Sequence, residues 1–298
     1  EIFFLSSATE IWERQLQNLV IQKSSHYCYG AFSNRFYDFA NSWQLEAQKI
    51  DADFGDLPNT DPELIEEDSE LITLALNETS TGVSFPHEDI ERLRKAHPEK
   101  LIAVDGVSAL PVIDLDFSLI DSAYFSVQKC FGLPAGLGVW IVSPRAMEKA
   151  QEKLSSGKTI GSYMSLPNLL KNGKKFQTTY TTNVLNIFLL AQVSGDMLEK
   201  GLEVIRRESN YKSSLLYHTI EKHPKLNPFV ERKELRSKTV AVANTKVDAH
   251  EIIDLLAKKG MVIGNGYGKY KGKQIRIASF PTHSKEQIEL LVDQLNSF

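Results

Sequence analysis

Only two cysteines, Cys28 and Cys130, occur among 298 residues. Two are too few for a disulfide framework, and their spacing suits no metal site, so a reducing compartment, the cytoplasm, is expected. No apolar run of about 18 residues exists, which excludes a helical membrane span. Positive charge is not in excess either. With 34 Lys and Arg against 38 Asp and Glu, a net charge of -4 and a pI near 6.0, the chain has no basic footprint, and nucleic acid is not an expected partner. Internal repeats and low-complexity tracts are also lacking. So is an initiator methionine: "EIFFLSSATE" opens inside an apolar strand, without the basic end and cleavage site of a signal peptide, and an earlier N-terminal segment is expected.

A hydrophobic share of 42% is enough for one large domain and a smaller one. Strand-type apolar runs alternate with stretches of helical period: Ile2 to Leu5 then Ile11 to Ile21, Tyr27 to Tyr29 then Arg35 to Gln48, Leu71 to Leu76 then His87 to Ala96. That alternation predicts an α/β domain built on a mainly parallel sheet. "LIAVD" and "SAYFSVQ" continue the sheet, and "LGVWIVS" comes after a loop too short for a crossover helix, which implies an antiparallel neighbour. The stretch "DFGDLPNTDPELIEEDSE" reads as an acidic surface loop with a short helix. Beyond about Lys200 the runs "TVAVAN", "VIGNG" and "QIRIASF", and the amphipathic "SKEQIELLVDQLNSF", predict a smaller α+β domain. Residues 1–200 and 201–298 are the expected division.

Ligands of open parallel sheets sit beyond the carboxyl ends of the strands, so the residues just after each strand are informative. After the first comes "SSATE", where Ser7 and Glu10 have capping-box spacing and the amides of Ser7, Ala8 and Thr9 would form an anion site. After the second, Gly30 permits a tight turn and Phe32 offers an aromatic face. "NETSTG" clusters short polar side chains at the end of a third. Asp105, closing "LIAVD", is either an N-cap or a buried partner for a cation. Lys129 ends an apolar run and enters a glycine-rich loop. A lysine in an apolar site loses its proton more readily than its free value of about 10.4 suggests, and the neutral amine attacks aldehydes. Each feature alone has an ordinary reading as a cap, a core aromatic or a snorkelling lysine. Together they match the parts of pyridoxal 5′-phosphate: a helix end for its phosphate, an aromatic face for its ring, a carboxylate for its ring nitrogen and an amine for its aldehyde.

The segments "NETSTGV", "VDGVSALP" and "SVQKCFGLPAGLGV" resemble the class V aminotransferases, which include phosphoserine aminotransferase and the serine–pyruvate and alanine–glyoxylate enzymes. The similarity runs from "SSATE" to "QIRIASF". It implies the type I fold of pyridoxal-phosphate enzymes, amino-acid and 2-oxo-acid substrates, and a homodimer with shared sites. By this resemblance Lys129 is the Schiff-base lysine, Asp105 the pyridinium partner and Thr79 the hydroxyl near the ring oxygen. Phe32 stacks on the ring in place of the family's frequent tryptophan. Ser7, Ala8 and Gln128 hold the phosphate from one subunit, and Tyr180, Thr181 and Thr182 of "TTYTTNVL" complete it from the other. Arg276 in "QIRIAS" falls where the family grips the α-carboxylate. Many phosphoserine enzymes carry a His-Arg pair shortly before that arginine; here Lys269 and Lys271 would supply positive charge instead. "NETSTGV" and "TTYTTNVL" favour phosphoserine with 2-oxoglutarate, with the serine–pyruvate or alanine–glyoxylate activities as the alternative.

Less favoured are a cysteine desulfurase-like lyase, a non-catalytic homologue and a nucleotide-binding protein. Desulfurases usually place a histidine where Gln128 stands, and Cys130 reads as packing. "GYGKYKG" has glycine spacing but precedes a strand, so it fails the dinucleotide-binding fingerprint.

Overall fold

The computed structural model describes residues 1–298. The first part of the chain runs β1 (Ile2–Leu5), α1 (Ala8–Leu19), β2 (Lys23–Cys28), α2 (Ala31–Ser42), β3 (Glu46–Asp51), β4 (Leu71–Ala75), β5 (Asn77–Glu78), β6 (Val83–Ser84), α3 (His87–Ala96), β7 (Leu101–Asp105), β8 (Ser122–Ser126) and β9 (Gly138–Val142). Four helices come next: α4 (Pro144–Ser155), α5 (Leu166–Gly173), α6 (Val184–Lys200) and α7 (Leu202–Lys222). The chain closes with β10 (Leu226–Pro228), β11 (Val240–Thr245), α8 (Ala249–Ala257), β12 (Gly264–Asn265), β13 (Gln274–Ala278) and α9 (Lys285–Asn296).

Seven strands form the main sheet in the order β1-β9-β8-β7-β4-β2-β3. All neighbours pair in parallel except at β9, which is antiparallel to both β8 and β1. Helices cover both faces, as a parallel sheet requires. Ile11 and Leu16 of α1, Phe36 of α2 and Ala146 of α4 pack into the core on one face, and Ile90 and Leu93 of α3 with Leu190 of α6 pack on the other. A second sheet, β10-β11-β13-β12, is wholly antiparallel and closes its own core with Leu216 of α7, Ile252 of α8 and Leu291 of α9.

Two departures from the sequence-based expectation concern polarity. The helical stretch expected over 35–48 is α2 followed by the edge strand β3, whose "EAQKID" buries only Ile50 and carries no apolar alternation. Strand β2 begins at Lys23, four residues before the apolar residues that announced it, because its buried polar side chains find partners within the strand and on neighbouring segments. His26 lies between the hydroxyls of Ser24 and Thr73, both at 2.8 Å, and burial pushes its pKa down to about 3, so it is neutral.

Candidate active site

Asp105 is the last residue of β7, Lys129 lies just past the end of β8, and the two strands are adjacent and parallel. The end of the sheet therefore places a carboxylate and an amine on the side where ligands bind. Asp105 accepts a hydrogen bond from the Val107 amide at 2.8 Å through Oδ1 and from the Tyr124 hydroxyl at 3.2 Å through Oδ2. It caps the turn after its own strand and begins no helix. Burial is the main influence on its carboxyl and raises the pKa to about 7, with Glu78 adding to the rise while the Val107 amide, Tyr124 and Lys129 oppose it. The Lys129 pKa is lowered, first by burial and then by the charge of Arg276. A lowered value favours the neutral, nucleophilic amine.

Lys129, Thr79 and Arg276 line one cleft of about 550 Å³. Asp105 and Phe32 line a tight crevice with Tyr124. Arg276, on β13, donates from Nε to the Asn265 carbonyl at 2.8 Å and from Nη1 to the Thr79 carbonyl at 3.2 Å, and its guanidinium lies over the Tyr267 ring. It takes part in none of the chain's ion pairs. Its remaining donors can accept an anion in the cleft. The Tyr267 ring also packs against Phe32, 5.5 Å between centroids, so one aromatic residue links the arginine to the expected ring-stacking position.

At the start of α1 the Ser7 hydroxyl accepts the Glu10 amide at 3.1 Å. The reciprocal half of the expected capping box is displaced by one residue: the Glu10 carboxylate takes the amide of Ser6 at 3.0 Å. Ser126, at the end of β8, takes the Ala8 amide at 2.9 Å. Of the three amides expected to form an anion site, that of Ala8 is thus taken within the chain, while those of Ser7 and Thr9 stay unpaired at the helix N-terminus. Gly138 of β9 lets this turn come close, because a Cβ there would stand 2.5 Å from the Ser7 carbonyl carbon.

Phe32 sits on the first turn of α2, which the buried Glu78 carboxylate anchors by accepting the Ser33 amide and the Ser33 hydroxyl, both at 2.9 Å. Gly30 is required by that approach: a Cβ would lie 2.2 Å from Glu78 Cγ. The Thr79 hydroxyl donates to Ser108 at 2.7 Å. Gln128 is exposed. Tyr180 leans on its own chain, with its hydroxyl 3.5 Å from the Phe4 carbonyl, while Thr181 is exposed and the Thr182 hydroxyl is 3.5 Å from Tyr180. Lys269 and Lys271 lie on an exposed turn before β13 and do not line the cleft. Sequence reasoning missed Tyr124, Ser126, Glu78 and Tyr267. All four stood in stretches singled out, "SAYFSVQ", "NETSTG" and "GYGKYKG", but for other residues in them. Cys130 is fully buried beside Val240, Val242 and Phe280, and burial pushes its thiol pKa well up, which suits packing and not persulfide chemistry.

The family model for class V aminotransferases matches residues 38–276. The chain is 32% identical to a phosphoserine aminotransferase of Rhodococcus opacus over 97% of its length and 77% of the relative's. A crystal structure of a phosphoserine aminotransferase from Cytophaga hutchinsonii superposes with a TM-score of 0.96 at 47% identity, covering all of this chain and 82% of that one. An aspartate aminotransferase from Thermus thermophilus gives a TM-score of 0.86 at 25% identity, covering 100% of this chain and 84% of that one. The chain belongs to the class V aminotransferases, and its fold is that of the pyridoxal-phosphate-dependent aminotransferases. It is an aminotransferase.

Proposed function

We propose that the chain transfers an amino group between phosphoserine and 2-oxoglutarate, using pyridoxal 5′-phosphate held by Lys129. The observation that carries this reading is that Lys129 and Arg276 line one cleft while Asp105 ends β7, the strand beside β8, in a chain whose relatives are named phosphoserine aminotransferases. The donor set fits the cofactor. The unpaired amides at the start of α1 suit its phosphate, Phe32 suits its ring, Asp105 its ring nitrogen and Lys129 its aldehyde.

When bound, pyridoxal phosphate supplies an aldehyde for the amino group and a ring that accepts the electron pair left by the departing α-proton. Asp105, when ionised, would favour a proton on the ring nitrogen through its charge. Lys129, whose lowered pKa favours the neutral amine more than in a free lysine, would hold the aldehyde and is the base placed to move the proton from Cα. Arg276 holds the substrate carboxylate with its free N–H groups. Thr79, Ser7 and Gln128 would orient the cofactor, with Ala8 contributing only if its amide turns from Ser126 to the phosphate. Residues 1–200 act as the cofactor-binding domain and 201–298 as the small domain.

The second reading, serine–pyruvate or alanine–glyoxylate transfer, draws on one observation: Lys269 and Lys271 are outside the cleft and no His-Arg pair stands near Arg276.

The homodimer reading is supported by the surface around residues 180–182. Phe176 is fully exposed, Val184, Leu185 and Phe188 are exposed along α6, and this apolar face borders a groove lined by Ile2, Phe4 and Thr182. A second copy covering it would bring Tyr180, Thr181 and Thr182 toward the partner's phosphate site. No helix is long and apolar enough to cross a membrane, and both thiols are free, which fits the cytoplasm. The test is covalent capture: the chain incubated with pyridoxal phosphate should gain a near-visible absorption band, and borohydride should fix the label on the Lys129 peptide. A colourless protein, or label on other lysines only, would defeat the reading.

A further inference from the structure

We infer that Tyr124 and Trp12 form a hydrogen-bond relay that holds the Asp105 carboxylate ionised and fixed in direction, making Tyr124 a positioning residue for the aminotransferase site. The inference rests on the proposed role of Asp105. Trp12 Nε1 lies 2.6 Å from the Tyr124 hydroxyl, and that hydroxyl lies 3.2 Å from Asp105 Oδ2. An indole N–H can only donate, and a phenol has a single proton. With Trp12 filling an acceptor site on Tyr124 from behind, the tyrosine proton points at Asp105. A carboxylate accepts that proton's hydrogen bond through Oδ2, and the Val107 amide takes Oδ1, so both oxygens meet donors. A protonated Asp105 would bring a proton of its own and forfeit part of this arrangement.

The geometry is rigid. Tyr124 is the register partner of Asp105 across β7 and β8, so the two side chains share a face of the sheet. Trp12 and Tyr124 are buried, and the indole is stacked on Phe36 and edge-on to Phe39. Trp12 also belongs to α1, whose first turn is the proposed phosphate cradle, so one helix positions both ends of the ligand. The titratable groups that bear on Asp105 are Glu78 of β5, Tyr29 after β2, Lys129 after β8 and Tyr124 itself. Burial and Glu78 oppose ionisation; Tyr124 is one of the few groups that favour it.

The test monitors the Asp105 side-chain carboxyl by carbon NMR in aspartate-labelled protein, with Asp105→Asn identifying its signal, before and after loading with pyridoxal phosphate. In the unloaded protein, Tyr124→Phe should raise the titration midpoint by about one unit. Trp12→Phe, which leaves the hydroxyl free to turn away, should raise it by less. The double variant has no orphaned indole N–H and should match Tyr124→Phe, so the shift can be read even if the single variant folds poorly. In the loaded protein, the acidic limb of kcat against pH should move up in the same order. An unchanged or lowered Asp105 midpoint in both Tyr124→Phe and the double variant would overturn the relay. Because the unloaded titration needs no activity, a relay that holds in a protein unable to bind the cofactor would indict the proposed function alone.

Discussion

The guanidinium of Arg276 lies 5.1 Å from the centre of the Tyr267 ring, which itself rests against Phe32. An arginine of the second sheet is thereby coupled through one side chain to the first turn of α2. Tyr267→Leu removes the aromatic face from both neighbours. It should raise KM for the amino donor several-fold with a smaller loss in kcat, while Tyr267→Phe stays near the parent, as steady-state kinetics will show.

Arg276 has spare donors and no carboxylate partner in the chain. Arg276→Lys keeps the charge but loses the planar fork, and kcat/KM should fall by about 10- to 100-fold, mostly through KM for both amino and oxo acid. Equal losses with amines that lack a carboxylate would argue against a carboxylate grip.

The pKa of Lys129 is lowered by burial and by Arg276, so the neutral amine appears at lower pH than for a free lysine. The rate of pyridoxal-phosphate capture, measured by absorbance, should therefore climb with pH and level off at a midpoint below the ordinary 10.5. Arg276→Ala removes one of the causes and should move that midpoint upward.

Gly30→Ala would set a methyl group 2.2 Å from Glu78 Cγ, within the network that anchors α2. Overpacking of this kind costs about 1–3 kcal/mol. Thermal unfolding should show a clear drop in Tm, together with weaker cofactor binding as Phe32 loses its support.

Shared sites predict complementation. A Lys129→Ala subunit paired with a Thr182→Ala subunit forms one site with both residues intact, so mixing the two inactive proteins should restore activity. Leu185→Asp with Phe188→Asp should give a monomer by sedimentation and weaken cofactor binding.

The parallel sheet and the reversed β9 were legible because buried central strands such as "LITLA" and "LIAVD" are continuous apolar runs, and because a short loop permits only an antiparallel return. Strand β3 was not, since an exposed edge needs no apolar face, and the start of β2 was hidden by buried polar residues whose partners, Thr73 for His26 among them, are far away in sequence. The same limit applied to the site. Lys129, Asp105 and Arg276 close apolar runs or interrupt them, so local sequence exposes them. Tyr124 and Tyr267 matter through what they touch, and a tyrosine in "SAYFS" looks like any core aromatic until Trp12 is seen against it.

The central claim is the substrate, and an amino-donor panel run with the cofactor-loaded protein and 2-oxoglutarate tests it most directly, with glutamate formation as the readout. Phosphoserine should exceed serine and alanine in kcat/KM by about 100-fold or more, the discrimination expected of a site built for a phosphate against donors that lack one. Equal or better turnover of serine or alanine, or a preference for pyruvate or glyoxylate as acceptor, would contradict the phosphoserine assignment.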